Sequence, residues 1–528
     1  MRMTVEPVSG PGTVWRQLDL LSNRLSAMVG WRRHAVAATL GAFATLALPP
    51  VYLMPLLYPA FAGLVWLLPA GLGKRTAFFT GWWFGVGFFV SSLYWIGFAP
   101  VTFSLSLWWV MPFAMVGLPI VLAIFHGIAT LAASRWGDGH IRRALMLTIA
   151  WGITEWLRGH IFTGLPWNLA GYGWTGSDAM AQSASVFGMY GVTVLAVVSA
   201  TLIAAVAGGS PRRRLTVLGI ALALPLAVWA GGAARLAGAP QVGAENVPNV
   251  GLRIVQANIP QKEKWDGGLI KRNFTLYMDL SVKDRPDWVT HVIWPETAAV
   301  IDLTRYPDWA KAAASVVPPG GLLLTGTPRR VVNPPQVWNS MVALDEQGNV
   351  IDSFDKFHLV PFGEYMPMQS ILRLDKITPG KLGFSAGPGP RALRLVGLPP
   401  VGPLICYEVV FPGEVVDRAN RPEWLLNLTN DAWYGQTAGP HQHLAATRLR
   451  AIEEGLPLVR SANTGISAVF DGYGREIARL DLNQQGVLDI RLPHPVSNAT
   501  FYAYYNDLTF VFLMLLVFLA LLRAPANK

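Results

Sequence analysis

Cysteine is almost absent from this chain, since Cys406 is the only one in 528 residues. A single thiol excludes an internal disulfide and leaves two roles, packing or chemistry. A lone cysteine in an apolar stretch is usually a small buried hydrophobe. Cys406 ends the apolar run Val401–Cys406, which predicts a buried strand followed by a turn. The residues around that turn therefore decide between the two roles.

Charged residues are also scarce. They make up 14% of the chain, hydrophobic residues make up 52%, and the mean hydropathy is +0.36. Soluble proteins carry roughly 25% charged residues, so this composition excludes a wholly soluble protein and indicates a membrane protein. The length accommodates a helical bundle together with a water-soluble domain of about 240 residues.

Long apolar segments fill the region from residue 34 to residue 236. They predict seven helices that cross, or nearly cross, a hydrocarbon core about 30 Å thick, and an eighth helix near the end of the chain. Because about 33 polar or mixed residues come first, we expect no secretory signal peptide and an uncleaved first helix. The predicted helices cover residues 34–49, 51–70, 77–98, 107–133, 144–160, 187–208, 215–236 and 508–522.

The placement of positive charge predicts the orientation of these helices. With eight spans and a cytoplasmic N-terminus, fifteen Lys and Arg residues fall on the cytoplasmic side, and only Arg158 and Arg235 fall on the outer side. Loops on the cytoplasmic side of a membrane carry such an excess. Both termini are therefore expected in the cytoplasm, and residues 237–505 are expected to face outward.

The same distribution explains the net charge of +10. Residues 250–498 contain 25 basic and 25 acidic residues, so the whole excess lies in the membrane part. A pI near 9.7 can indicate nucleic-acid binding, but here it reflects topology, and no nucleic-acid partner is expected.

The outward segment has short β-rich runs separated by Gly/Pro turns and by helix-forming stretches, which predicts an α/β sandwich. Four regions follow: a cytoplasmic segment at 1–33, a transmembrane domain at 34–236, a catalytic domain at 237–505, and a last helix with a short tail at 506–528. Predicted strands cover residues 252–259, 289–294, 321–326, 338–344, 401–406, 424–428 and 465–470, and predicted helices cover 269–282, 306–316 and 441–454.

Three of these runs lead into chemically useful side chains. Glu296 follows a predicted strand and Pro295. Lys356 and Glu364 flank a Pro/Gly bend. Cys406 ends its own strand. Taken singly, the two glutamates suit a helix cap or a backbone contact, and the lysine suits a solvated surface. A catalytic thiol, however, needs a base, and it needs a cation or N–H donors for an oxyanion. This chain offers candidates for each.

The motifs Trp294-Pro-Glu296, Lys356–Glu364 and Cys406-Tyr-Glu408 together resemble the nitrilase superfamily, whose members carry a Glu-Lys-Cys triad in this order on an α-β-β-α sandwich. The membrane arrangement and three further motifs narrow the resemblance to the apolipoprotein N-acyltransferases. It covers all but about the first 30 residues. The further motifs are Asn430–Gly435, Gly439–His443 and Arg460–Gly465.

This resemblance implies an enzyme of the bacterial inner membrane with its catalytic domain in the periplasm. It implies that an acyl chain passes from a phospholipid, typically phosphatidylethanolamine, to a thioester on Cys406. The chain then passes to the α-amino group of an S-diacylglyceryl-cysteine on a lipoprotein. Glu296 would be the general base, and Lys356 and the Tyr407 N–H would stabilise the oxyanion. Burial should raise the pKa of Glu296, and the Lys356 cation should lower that of Cys406.

Supporting roles follow from the same resemblance. Glu364 would lie close to the catalytic lysine, Tyr407 and Glu408 would shape the pocket, and Trp265 and Asn339 would lie near the active site. No cofactor is expected. No metal is expected either, because the spacing of Asp431, His441 and His443 matches no known zinc pattern.

Lipid substrates also give the membrane helices a purpose. We expect a lateral opening toward the outer leaflet, with segments 164–174 and 359–368 as candidate mobile lids. The partners expected are the phospholipid donor, the lipoprotein acceptor and the bilayer, and the protein is expected to be a monomer. His126 and the Glu155/Arg158 pair fall inside predicted spans, where ionisable residues can mark ion pathways.

Two alternatives from other classes remain open at this point. A membrane-tethered amidase of the nitrilase type would use the same triad with water as its second substrate, and its products would differ. A transporter or sensor with an outward ligand-binding domain would keep its function in a Cys406→Ala variant. The second alternative leaves the Glu-Lys-Cys set unexplained.

Overall fold

The computed structural model describes residues 11–103, 105–366 and 383–525 of the chain. Its first part is a bundle of helices, and one further apolar helix returns to the bundle at the end of the chain. These helices are α1 Pro11–Ser26, α2 Gly30–Ala44, α3 Leu57–Trp66, α4 Lys74–Leu93, α5 Phe98–Phe103, α6 Met111–Trp136, α7 Gly139–His160, α8 Asp178–Ala181, α9 Ala184–Leu202, α10 Pro211–Ala237, α15 Phe501–Tyr505 and α16 Leu508–Arg523.

Each of the eight predicted apolar segments overlaps a helix. Among the described residues, four stretches are long and apolar enough to cross a membrane: Lys74–Thr102, Trp108–Trp136, Ala184–Val206 and Pro211–Ala237. The apolar helices Met54–Trp66 and Leu508–Arg523 are shorter. At 1.5 Å per residue, 13 residues do not reach across a core about 30 Å thick. The four long apolar stretches indicate a membrane protein, whereas the count of eight spans stays a prediction.

The part of the chain between α10 and α15 contains two β-sheets. The first has the order β11-β1-β2-β3-β4-β5, and the second has the order β10-β9-β8-β7-β6. Strands β1, β2 and β3 are parallel, as are β6, β7 and β8. The strands are β1 Asn246–Gln256, β2 His291–Ile293, β3 Leu322–Val331, β4 Gln336–Leu344, β5 Val350–Asp355, β6 Val401–Ile405, β7 Trp424–Thr429, β8 Leu458–Ala462, β9 Ser467–Phe470, β10 Glu476–Leu480 and β11 Gly486–Pro493.

The two sheets pack face to face, with Leu252 and Met341 of the first sheet in one apolar core with Ile405 and Leu426 of the second. Helices cover the outer faces: α12 Ile270–Val282 and α13 Pro307–Ala314 on the first sheet, and α14 Ala438–Glu454 on the second. The short helix α11 Gln261–Lys264 precedes α12. This arrangement confirms the predicted α-β-β-α sandwich.

Every predicted strand is present, and four others were not predicted: β5, β8, β10 and β11. The strand β8 is fully buried, yet Arg460 stands at its centre. A buried charge breaks the apolar pattern that predicts a strand, and only its partners inside the fold make it tolerable. The other three carry Asp or Glu on partly exposed positions, which hides their alternation.

Helix α14 joins the sandwich to the membrane bundle, because one continuous apolar core contains its residues, those of the second sheet and those of α9. Gln442 lies at the centre of this junction. Its Oε1 accepts hydrogen bonds from Trp95 Nε1 at 3.0 Å, Trp167 Nε1 at 2.8 Å and Asn168 Nδ2 at 3.2 Å. The sandwich is therefore seated on the bundle through a buried polar contact as well as apolar packing.

Candidate active site

Glu296 lies just beyond β2, in a turn that packs against β3. Gly326 makes this packing possible, because a Cβ there would come within 2.2 Å of the Thr297 nitrogen and 2.7 Å of the Glu296 Cα. The turn is tied to the strand by a hydrogen bond from Gly326 N–H to the Pro295 carbonyl at 3.2 Å. Glu296 is 7% exposed. The close approach of two backbones thus holds a carboxylate at the end of the first sheet.

Lys356 follows β5 and is 1% exposed. Its backbone N–H donates to the Asn339 carbonyl at 2.9 Å, which continues the pairing of β5 with β4 by one residue. Its Nζ lies 2.9 Å from Glu364 Oε1 and 3.7 Å from Glu296 Oε1. A buried ammonium needs such partners, so the two carboxylates set the position of the lysine head.

Asn339 bridges the two carboxylates. Its Nδ2 donates to Glu296 Oε1 at 2.7 Å and to Glu364 Oε1 at 3.1 Å. Glu364 also closes its own turn, because its Oε2 accepts from the Val360 N–H at 2.8 Å. The predicted residue Asn339 thus lies within the site, where it contacts the carboxylates rather than an open surface.

Cys406 follows β6 at the end of the second sheet, and it adopts a left-handed backbone conformation with φ +53°. This conformation is uncommon for a residue other than glycine and costs about 1–3 kcal/mol, so the surrounding contacts must impose it. The next residues form a 3₁₀ helix, Cys406–Val410. The thiol therefore stands on a sharp strand-to-helix turn.

The side chain of Glu408 links this turn to the residues that follow β5 and Lys356. One carboxylate oxygen accepts from Phe357 N–H at 2.6 Å and from His358 N–H at 3.2 Å, and the other accepts from Ile405 N–H at 2.6 Å. The carboxylate is buried, and burial raises its pKa to about 8 while these N–H donors act against the rise. One side chain therefore sets the spacing between the Lys356 and Cys406 backbones.

The pKa of Glu296 agrees with the expectation from the sequence, and the pKa of Cys406 does not. Burial raises the pKa of Glu296, as predicted, with Lys356 acting against the rise. Burial alone would lower the pKa of Lys356, but Glu364 and Glu296 outweigh it and raise that pKa. Burial and then the Glu296 carboxylate raise the pKa of the Cys406 thiol to about 12, and Lys356 offsets this only in part. The prediction of a lowered thiol pKa was wrong, because it left out burial and the nearby carboxylate.

A second lysine reaches the site and was not predicted. Lys264, in α11, is buried and donates from Nζ to the Glu296 carbonyl at 2.9 Å. Burial lowers its pKa to about 8. Its neighbour Trp265, which was predicted to lie near the substrate, is half-buried. A lysine in a polar stretch indicates a solvated surface, so nothing in the sequence pointed to Lys264.

The segment at 163–167 connects the bundle to the active-site turn. The Thr163 carbonyl accepts a hydrogen bond from His358 Nε2 at 2.6 Å, and the Gly164 carbonyl accepts one from the Tyr407 hydroxyl at 2.9 Å. Arg158, on α7, donates hydrogen bonds to the carbonyls of Leu165 and Trp167.

Segment 164–174 is almost entirely buried, so the prediction of a lipid-exposed lid there was wrong. In segment 359–368, which is the other candidate lid, Phe362 is exposed, and residues 367–368 lie outside the described residues.

Asp431 and His443 also come together, but with an arginine as their third member. His443 Nδ1 lies 2.8 Å from Asp431 Oδ1, and Arg460 Nη2 donates to Asp431 Oδ2 at 2.6 Å. His443 Nε2 lies 3.1 Å from the Cys406 carbonyl. Within the described ranges, no group of three or more His, Cys, Asp or Glu residues has an arrangement that could hold a metal ion.

Comparison with known proteins places this chain in a family. A family model described as the apolipoprotein N-acyltransferase N-terminal domain matches residues 40–202, and one described as carbon-nitrogen hydrolase matches residues 308–499. The apolipoprotein N-acyltransferase of Rhodopseudomonas palustris is 40% identical, covering 94% of this chain and 97% of that protein. That of Bradyrhizobium diazoefficiens is 41% identical, covering 94% and 96%.

The chain belongs to the apolipoprotein N-acyltransferase family. Lys356 and Cys406 lie inside the carbon-nitrogen hydrolase match, whereas Glu296 precedes it. Among solved structures, a mutant of the Nesterenkonia AN1 amidase from the nitrilase superfamily is 17% identical, with a TM-score of 0.33, over 48% of this chain and 94% of that one.

Proposed function

We propose that this protein is an N-acyltransferase that completes the lipidation of lipoproteins, and that Cys406 carries the acyl chain as a thioester. Membership of the family supports acyl transfer to lipoproteins. The observation that supports a thioester on Cys406 is the convergence of a buried thiol with Glu296 and Lys356 where strands of the two sheets end. Base, cation and nucleophile meet there in one buried place.

The first half of the reaction takes an acyl chain from a phospholipid. Because the thiol has a pKa of about 12, it is protonated at rest and needs a base at the moment of attack. Glu296 accepts the thiol proton as the sulfur bonds to the ester carbonyl carbon. Lys356 and the Tyr407 N–H stabilise the resulting oxyanion. The glyceryl oxygen then leaves with the proton from Glu296, which releases a lysophospholipid and leaves the thioester.

The second half transfers the chain to an amine. The α-amino group of the diacylglyceryl-cysteine attacks the thioester carbonyl, and Glu296 accepts the proton that the amine loses. Collapse of the second oxyanion breaks the carbon–sulfur bond, and the thiolate recovers a proton from Glu296. The same donors act on both tetrahedral intermediates, so one site performs both halves.

The two carboxylates have different tasks in this scheme. Glu364 is in direct contact with Lys356 at 2.9 Å, whereas Glu296 is 3.7 Å away and carries the raised pKa. Glu364 therefore holds the lysine, and Glu296 exchanges the proton. Asn339 keeps both carboxylates in place through its two hydrogen bonds. Tyr407 and Glu408 hold the turn that carries Cys406, and we place Trp265, which follows Lys264, near the substrate.

The location follows from substrate chemistry and charge. We place the protein in the bacterial inner membrane, with its termini in the cytoplasm and residues 237–505 in the periplasm. The fifteen-to-two distribution of basic residues supports this orientation. Both substrates are lipids, so a domain seated directly on the bundle through α14 receives them without exposing acyl chains to water.

Mass spectrometry of the full-length protein tests the proposal directly. The protein is incubated with phosphatidylethanolamine and no acceptor, and we expect a mass increase of one acyl chain on Cys406, which a Cys406→Ser variant lacks. A diacylglyceryl-cysteine peptide should then remove the adduct and become N-acylated. Absence of any adduct on the wild-type protein under slow turnover would refute covalent catalysis. Release of free fatty acid without N-acylation would instead favour a hydrolase.

A further inference from the structure

The peptide between Cys406 and Tyr407 carries two groups that matter to the proposed chemistry. Its N–H belongs to Tyr407, in the first turn of a 3₁₀ helix, where backbone N–H groups have no intrahelical acceptor. Its C=O belongs to Cys406. In a trans peptide these two groups point in opposite directions. Whatever holds the carbonyl therefore also decides where the N–H points.

The Cys406 carbonyl is held from α14 and from β7. His443 Nε2 lies 3.1 Å from this oxygen, and Asn427 Nδ2 approaches it at 3.5 Å. Both side chains are fully buried. Arg460 connects them, because Nη1 donates to Asn427 Oδ1 at 2.6 Å and Nη2 lies 3.2 Å from His443 Nδ1. The carbonyl thus rests on a closed polar network.

The ring of His443 donates to the carbonyl in two of its three protonation states. If the ring is doubly protonated, Nδ1–H bonds Asp431 Oδ1 and Nε2–H bonds the carbonyl, so both short contacts are hydrogen bonds. If it is neutral with its proton on Nε2, the bond to the carbonyl is the same and Nδ1 accepts from Arg460, but the Nδ1 lone pair then faces Asp431 Oδ1 at 2.8 Å. The remaining tautomer would leave a lone pair on Nε2 facing the lone pairs of the carbonyl oxygen.

The residue types Cys, His and Asp suggest a catalytic triad, but the geometry excludes a role for His443 as the base in this arrangement. Its Nε2 is engaged with the carbonyl oxygen of Cys406, and its Nδ1 is engaged with Asp431. The carboxylate and ammonium whose charges shift the thiol most belong to Glu296 and Lys356. His443 therefore acts on the backbone of the nucleophile rather than on its sulfur.

We propose that His443, held by Asp431 and Arg460, is a positioning residue that fixes the Cys406–Tyr407 peptide so that the Tyr407 N–H is presented to the oxyanion. This inference rests on the proposed thioester chemistry. A donor on the carbonyl also polarises the peptide and makes its N–H a stronger donor. Both tetrahedral intermediates use that N–H, so both halves of the reaction depend on His443.

A pair of matched substitutions tests this role in the full-length protein with phosphatidylethanolamine. In His443→Asn the side-chain amide reaches the position of Nδ1, and the hydrogen bond to the Cys406 carbonyl is lost. In His443→Gln the amide reaches the position of Nε2, so a donor to the Cys406 carbonyl remains. We expect His443→Asn to slow formation of the Cys406 adduct about 10²- to 10³-fold, as for the loss of an oxyanion donor. His443→Gln should regain most of that loss. The matched control is His441→Asn, two residues earlier on α14, with no expected change.

Alkylation of Cys406 by iodoacetamide separates positioning from damage to the fold. This displacement at a saturated carbon forms no oxyanion, so His443→Asn should be alkylated at the wild-type rate, and its KM for the phospholipid should be unchanged. Equal losses of alkylation and acylation would overturn the inference, as would a wild-type acylation rate in His443→Asn or no advantage of Gln over Asn. A wild-type protein that forms no adduct would instead refute the proposed function.

If His443→Asn yields no folded protein, the same comparison is made with Asp431→Asn. This variant keeps a polar group beside Nδ1 and removes the charge that holds both the ring and Arg460. We expect a smaller loss of acylation with unchanged alkylation. An unchanged ratio of the two rates would overturn the inference.

Discussion

The membrane bundle and the catalytic sandwich each bury a cluster of charged side chains, and the two clusters differ in how their charges are matched. In the bundle, Glu155 lies between two partners, His126 Nε2 at 3.0 Å and the Arg158 guanidinium. His126 stacks between Phe89 and Trp151. In the sandwich, Glu364 and Glu296 lie 2.9 Å and 3.7 Å from the Lys356 ammonium, beside a thiol whose pKa is raised by burial to about 12.

The difference shows what burial does to each set. A buried charge is tolerated when its partners satisfy it, and in the bundle both carboxylate oxygens of Glu155 have a partner. In the sandwich, burial raises the pKa of Glu296, and the Glu364 charge acts in the same direction while Lys356 and Lys264 act against it. A raised pKa favours proton exchange at that carboxylate. The first cluster is thus structural, and the second is poised for chemistry.

Glu155→Leu tests the structural side of this comparison. Removing one partner leaves the Arg158 cation buried without a carboxylate, which should lower the free energy of unfolding by about 3–5 kcal/mol. Because Cys406 is the only cysteine and is buried, a thiol-reactive dye reports thermal unfolding of the catalytic domain. Glu155→Gln keeps an acceptor and serves as the matched control with a smaller loss. If Glu155→Leu unfolds at the wild-type temperature, the cluster in the bundle is not structural.

Lys356→Ala tests the chemical side. It removes an oxyanion donor and the cation between two carboxylates, so formation of the Cys406 adduct should slow by about 10²- to 10³-fold or more. Single-turnover mass spectrometry with phosphatidylethanolamine measures this rate. The exposed Lys283→Ala is the control, with the wild-type rate expected. An acylation rate within tenfold of the wild type would remove Lys356 from the mechanism.

Glu408→Gln lies between the two extremes, because Glu408 is buried and holds the site without reacting. A glutamine offers one acceptor oxygen, and its NH₂ group would face a backbone N–H that now donates to Glu408. We expect a loss of about 1–3 kcal/mol in unfolding free energy together with slower acylation. Thermal unfolding and the acylation rate are measured on the same sample. A fall in the rate with no loss of stability would give Glu408 a direct chemical role.

Lys264→Met should have the smallest effect and changes only the pH dependence. Lys264 lowers the pKa of Glu296, so its removal raises that pKa further. Glu296 acts as a base only when it is unprotonated, and activity is lost as the pH falls through its pKa. The acidic limb of the pH profile should therefore move to higher pH, with little change on the plateau. Lys262→Met, at an exposed position of the same short helix, should leave the limb in place.

An acidic limb that stays in place in Lys264→Met, or moves to lower pH, would contradict the electrostatic coupling of Lys264 to Glu296. A loss of rate at every pH would give Lys264 a positioning role through its hydrogen bond to the Glu296 carbonyl.

The sequence predicted the sandwich because most of its strands are apolar runs that end at Gly or Pro turns. Prediction failed for β8, whose central Arg460 is satisfied by partners from β7, α14, the segment after β7 and the turn before β9. The same limit hid Lys264, which looks like a surface residue until the fold buries it. It also affected segment 164–174, whose aromatic residues pack inside the junction rather than against lipid.

The sequence by itself determined the apolar segments, the excess of basic residues on one side, and the local strand-to-turn motifs that carry Glu296, Lys356 and Cys406. These features depend on neighbours along the chain, so they can be read from it. Only the tertiary structure decided the raised pKa of the thiol, the unequal distances of the two carboxylates from Lys356, and the contact of His443 with the Cys406 carbonyl. Those properties depend on burial and on distances between residues far apart in sequence, which folding alone brings together.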